Sequence, residues 1–111
     1  TSVGANPINA PGAVSESGAA VDLSIDGWRR CLSRNLDTMF LMTKLAWTHL
    51  LSRPHGSARI INISSTSGPV NAVKGDAAYA AAKAGMVGFT KATALDGADA
   101  GITCNAIAPG K

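Results

Sequence analysis

Apolar and polar positions divide this chain into blocks of different period. Residues 1–23 are rich in Gly, Ala, Pro, Asn and Ser without a repeat, which predicts a loop. From the capping residue Ser24, the run Ser24-Ile25-Asp26-Gly27-Trp28 opens a helix that should continue, with a bend near Asn35, to about residue 52. Over residues 36–51, Leu36, Met39, Phe40, Leu41, Met42, Leu45, Ala46, Trp47, Leu50 and Leu51 surround that helix and leave a narrow polar stripe of Asp37, Lys44 and Thr48. A helix of this kind is expected to be buried on more than one side, by a sheet and by a second protein. Arg53-Pro54-His55-Gly56-Ser57 is turn chemistry that stops it, with His55 a solvated loop residue. Residues 58–64 then predict a strand apolar on both faces, as in a buried parallel sheet, with Asn62 as a polar group of the core.

An alanine-dense helix follows over residues 76–94, and its interior Gly85 and Gly88 call for a packing reason. Gly101 is the expected stop, and residues 102–108 form a second strand that ends at Pro109-Gly110. Helix, strand, helix, strand in this order predicts a right-handed parallel βαβ unit within a doubly wound, Rossmann-like α/β sheet. Two strands and two long helices are only part of such a sheet.

Length and composition narrow the picture. The 111 residues fit one domain, but the chain begins with Thr1 and stops at Lys111 just past the second strand, so it is read as a fragment. The net charge of +3 is spread over dispersed Lys and Arg residues and no basic run is interleaved with aromatics, which argues against nucleic acid as a partner. No apolar run is long enough to span a membrane. Cys31 and Cys104 have no closely spaced Cys/His companions for a metal and are expected to be free buried thiols in a reducing cytoplasm.

The chemistry sits between the two strands. The first strand runs into Ser64-Ser65, and the following helix carries Tyr79 and Lys83 at i and i+4, hence on one face. A tyrosine with a pKa of about 10 is a poor base at neutral pH, and bringing it near 7 takes roughly 4 kcal/mol. One ammonium about 4 Å away supplies about that much at an effective dielectric near 20. Lys83 could therefore make Tyr79 a general acid/base, while a serine hydroxyl holds the reacting oxygen. Taken alone, the pair favours the bland reading of a half-buried helix aromatic and a solvated surface charge.

The flanks change that weighting. Ile61-Asn62-Ile63-Ser64-Ser65 with Gly68, then Tyr79-Ala80-Ala81-Ala82-Lys83-Ala84-Gly85, then Gly101-Ile102-Thr103-Cys104-Asn105-Ala106-Ile107-Ala108-Pro109-Gly110 resemble the short-chain dehydrogenase/reductase family in order and spacing. The resemblance reaches upstream through Asn35 and covers residues 24–110, the catalytic half of a partial dinucleotide-binding domain, after a loop-rich 1–23.

The resemblance implies an oxidoreductase that interconverts an alcohol and a carbonyl with NAD or NADP. It implies Ser65, rather than Ser64, as the serine that steadies the substrate oxygen, Tyr79 as its proton donor, and Lys83 as the group that lowers the tyrosine pKa and contacts the cofactor ribose. Asn35 would hold a proton relay, and Pro109 and Gly110 would lie beside the nicotinamide. It further implies homo-oligomerisation through helices 36–51 and 76–94. Two features depart from the family pattern. Ser65 stands fourteen positions before Tyr79, one more than usual, which alters the loop 66–75 expected to line the substrate. Thr1-Ser2-Val3-Gly4 is at most a degenerate form of the cofactor-lining Asn-Asn-Ala-Gly motif. No Thr-Gly-x-x-x-Gly-x-Gly phosphate loop occurs, which favours the rival reading of a non-catalytic α/β fragment or docking module. The segment by itself is accordingly expected to bind cofactor weakly and not to turn over.

Overall fold

The computed structural model describes residues 14–69 and 71–109. Ser24 caps the first helix, α1 (Ile25–Leu32), by accepting the Gly27 N–H with its side chain at 3.0 Å. The chain then passes without a break through a π-helical turn, Ser33–Asp37, into α2 (Thr38–Leu51). The bend expected at Asn35 is thus a one-turn widening of the helix, a feature that recurs at functional sites.

Strand β1 (Arg59–Ile63) leads through the loop 64–76 into α3 (Ala77–Gly97), a short 3₁₀ turn (Ala98–Ala100) and β2 (Thr103–Ile107). Gly101 ends the helical segment in the left-handed region at φ 73°, as the sequence predicts. β1 and β2 pair in parallel, Arg59 opposite Thr103 through Ile63 opposite Ile107, with α3 as the crossover. The observed unit is the expected parallel βαβ.

The core lies where α3 meets one face of this two-stranded sheet. Ala78, Ala82 and Met86 are buried on the helix, with Cys104 and Asn62 beneath. Asn62 donates to Thr90 Oγ1 at 2.9 Å, and Thr90 in turn donates to the Met86 carbonyl at 2.8 Å, so the core polar groups are paired. Gly85 has its packing reason: a Cβ there would stand 3.1 Å from Leu36 Cδ1. Gly88 has none among the described residues.

One burial expectation is corrected. β1 was expected to be covered on both faces, yet Arg59 and Ile61 are exposed, because α3 covers one face of the sheet and none of the described residues forms a layer on the other. On α2 Met39 is the single buried residue, while Leu45 is 71% exposed and Phe40, Leu41, Met42 and Leu51 are also outward, which leaves an apolar face on the side where cover by a second protein is expected. Among the described residues no helix is long and apolar enough to cross a membrane.

Candidate active site

The candidate site forms at the carboxyl end of the two strands, where ligands of open α/β sheets bind. The ladder runs one residue past β1, because the Ser64 N–H donates to the Ile107 carbonyl at 2.7 Å. The period of the strand turns Asn62 and Ser64 inward. Both are buried, and Ser64 Oγ donates to the Lys83 carbonyl at 2.9 Å. Ser65, the next residue, is half-buried, and its Oγ accepts the Ser67 N–H at 3.1 Å in a local turn.

Two further contacts tie the serine loop to the other site segments. Thr66 N–H donates to the Pro109 carbonyl at 3.2 Å, which brings the ends of both strands side by side. Gly68, at φ 101°, presses so closely on α3 that a Cβ would overlap the Ala80 carbonyl oxygen. Only glycine satisfies both conditions. The loop after Ser65 is thereby packed onto the residue next to Tyr79.

The start of α3 is held from another direction. No side chain caps it at Asp76; instead Gly18 N–H donates to the Gly75 carbonyl at 2.8 Å and Ala77 N–H to the Gly18 carbonyl at 3.4 Å. One turn on, Tyr79 is half-buried and Lys83 is 1% exposed. Lys83 Nζ stands 5.3 Å from the centre of the Tyr79 ring, within reach of a cation–π interaction, and makes a long hydrogen bond of 3.5 Å to the Ile63 carbonyl. Burial pushes the Lys83 pKa below its ordinary 10.5, with Cys31 opposing more weakly. The bland description of Lys83 as a solvated surface charge does not hold.

Asn35 sits at the middle of the π turn, 4% exposed. Its amide donates to the Cys31 carbonyl at 2.8 Å, which fixes the side chain and leaves Oδ1 buried with no partner among the described residues. Asn35 and Lys83 line one groove of about 470 Å³ together with Met39, Asn62, Ile63 and Met86. The neighbouring Arg34 pairs at 3.0 Å with Glu16, a buried carboxylate from the preceding loop. Burial raises the thiol pKa of both Cys31 and Cys104, which are free and buried as expected.

Of the residues singled out from sequence, the structure brings Tyr79, Lys83 and Asn35 into one neighbourhood and sets Ser65 and Pro109 at the adjoining strand ends. No direct hydrogen bond joins Ser65 to Tyr79; their connection runs through Gly68 and Ala80. Gly110 and the Thr1–Gly4 stretch lie outside the described residues. The sequence presents Ser64 only as the alternative to Ser65, and its bond to the Lys83 carbonyl is a tertiary contact that spacing does not show. Glu16 escaped sequence reasoning altogether, because an aperiodic loop gives no signal for it.

A parallel βαβ unit that carries a serine pair at one strand end and Tyr79 with Lys83 on the crossover helix defines an α/β protein of Rossmann-like architecture. The chain belongs to the short chain dehydrogenase family, whose family model matches residues 8–111. It is 48% identical over 85 residues to an acetoacetyl-CoA reductase of Shinella zoogloeoides, covering 77% of this chain and 34% of that protein. It is 42% identical over 88 residues to a 3-oxoacyl-[acyl-carrier-protein] reductase of Synechocystis, covering 79% and 34%. Among solved structures, acetoin dehydrogenase from Enterobacter cloacae superposes with a TM-score of 0.77 at 32% identity, over 92% of this chain and 39% of that one. The chain therefore spans about a third of the length of the curated relatives it matches.

Proposed function

We propose that residues 24–110 carry the proton-transfer site of a nicotinamide-dependent oxidoreductase that interconverts an alcohol and a carbonyl. The observation that carries this reading is the buried Lys83 ammonium, 5.3 Å over the Tyr79 ring and tethered to the Ile63 carbonyl at the end of the strand that delivers Ser64 and Ser65. Burying an ammonium to 1% exposure is costly, and titratable groups held at such a cost cluster at functional sites.

In the direction of reduction, Tyr79 Oη gives its proton to the carbonyl oxygen while Ser65 Oγ donates a hydrogen bond to the same atom. The Lys83 ammonium stabilises the phenolate left behind. Among the described residues it spends one N–H on Ile63, and an ammonium's two further donors fit ribose hydroxyls alongside the Tyr79 phenol. Asn35 Oδ1, a buried acceptor on the wall shared with Lys83, suits a relay that returns protons toward the amine. Pro109 and Gly110 would border the nicotinamide, which when bound supplies or accepts the hydride. The cofactor is NAD or NADP, and 3-oxoacyl compounds are the first substrates to try, since the acetoacetyl-CoA and 3-oxoacyl reductases are among the relatives.

A second copy of this chain is the partner that best suits the outward face of α2 and α3, where Phe40 and Phe89 meet edge to face at 6.4 Å with apolar neighbours exposed around them. The test uses the natural polypeptide that contains this segment, assayed for NADH and NADPH oxidation with a 3-oxoacyl substrate. Tyr79→Phe should lower the rate at least about 100-fold; equal rates in the two proteins overturn the mechanism.

A further inference from the structure

We infer that Ser64, the serine next to the one assigned to substrate, is a positioning residue that sets the working distance between the strand end and the Tyr79–Lys83 helix. The inference rests on the functional reading above and adds a residue to it. Consecutive residues of one strand hold Lys83 at both of its ends. The Ile63 carbonyl receives the ammonium at 3.5 Å, and Ser64 Oγ donates to the main-chain carbonyl of the same lysine at 2.9 Å. Ser64 also anchors the second strand through its N–H, at 2.7 Å from the Ile107 carbonyl. One residue therefore joins β1, β2 and α3 immediately before Ser65.

The chemistry of this junction requires a hydroxyl. A carbonyl inside a helix already receives the amide four residues on, so a further donor must reach its second lone pair from outside the helix. Ser64, 4% exposed, does so from the strand. Alanine fills the space but donates nothing. Without that bond the helix is still packed, but the distance from Ser65 to Tyr79 is no longer fixed. Misplacement of reacting groups by about 1 Å can cost about 100-fold in rate. A loosened register lowers the rate of the proton-coupled step and leaves groups that merely bind substrate untouched, so the loss belongs in kcat and not in KM.

The experiment compares Ser64→Ala, Ser64→Thr and Ser64→Val in the full natural polypeptide, with Tyr79→Phe alongside. Thr and Val have nearly the same shape, so their difference isolates the hydroxyl from the added volume. The expected result is a fall of about 10-fold or more in kcat for Ser64→Ala with KM within about twofold, and Thr exceeding Val by at least about 10-fold in kcat. Amide exchange over residues 83–87 should quicken in the Ala and Val variants and be slower in Thr. A Ser64→Ala enzyme within twofold of wild type, or equal Thr and Val variants, overturns the positioning role. If Tyr79→Phe is silenced while Ser64→Ala is fully active, this inference alone is lost; if Tyr79→Phe keeps the wild-type rate, the underlying mechanism is lost as well.

Discussion

The two ends of the helical layer are built in opposite ways. Where α3 lies on the sheet, nearly every polar atom is paired and the backbones touch: Asn62 with Thr90, Ser64 with Lys83, Gly68 against Ala80. Along α2 a helix richer in large apolar residues buries only Met39 and exposes Leu45, Met42, Leu41 and Phe40. Hydrophobic content therefore does not locate the rigid part of this molecule. What locates it is small residues, with Ala78 and Ala82 at 1% and 0% exposure, which allow the close approach that fixes hydrogen-bond geometry. The consequence for function is that the candidate site is braced from within the chain, whereas the α2 face is left outward by the residues described.

The contrast is broken most severely at Gly68. Replacing it with alanine places a Cβ on the Ala80 carbonyl oxygen at a backbone angle of 101°, and the loop must lift away from α3. Gly75, at φ 79° with nothing within 4 Å, is the control for backbone strain alone. Urea unfolding should show Gly75→Ala costing about 1 kcal/mol and Gly68→Ala about 3 kcal/mol or more. Equal losses would mean that the close approach is unimportant. Next in size, Thr90→Val removes the acceptor of the buried Asn62 amide and should cost about 1–3 kcal/mol in the same measurement, with little effect on the α2 surface.

Lys83 gives a prediction with a sign. Burial lowers its pKa in the folded protein below the ordinary 10.5, so between the folded value and 10.5 the unfolded chain binds more protons and stability rises with pH. Below that window both states carry the proton and the folded state bears the full cost of a buried charge. Lys83→Met should therefore be more stable than wild type at neutral pH, with the gap closing as pH rises toward 10.5. A gap that widens with pH would show that the amine is better stabilised in the fold than in water. The same variant should lose activity at every pH, because the Tyr79 partner charge is gone.

These cases mark what the sequence could and could not reveal. The order of elements, the stop at Gly101 and the pairing of Tyr79 with Lys83 are local consequences of period and spacing, and they are legible. So is the irregularity at Asn35, although its form as a π turn with Oδ1 unpaired among the described residues is not, because that depends on the Cys31 carbonyl accepting the side-chain amide. The complete burial of Lys83 was not legible either. It follows from how closely Ala78 and Ala82 let α3 approach the sheet, which is a tertiary distance. The burial of both faces of β1 was expected and is not found among the described residues, since a periodic pattern states which face prefers cover and not whether cover is present.

The smallest effect on stability is expected at Leu45, and it sharpens the comparison most. At 71% exposure the side chain has little to lose, so Leu45→Lys should change the unfolding free energy of a single chain by no more than about 0.5 kcal/mol. An interface between two copies is another matter, because a lysine brought into an apolar contact must be desolvated without a partner. Sedimentation of the natural polypeptide should then show the variant shifted to a smaller species, while Ser57→Lys, an exposed change in the turn before β1, leaves the assembly intact. Loss of chain stability without change in assembly would invert the assignment: α2 would already be covered within its own polypeptide, and its outer face would be part of a core and not of an interface.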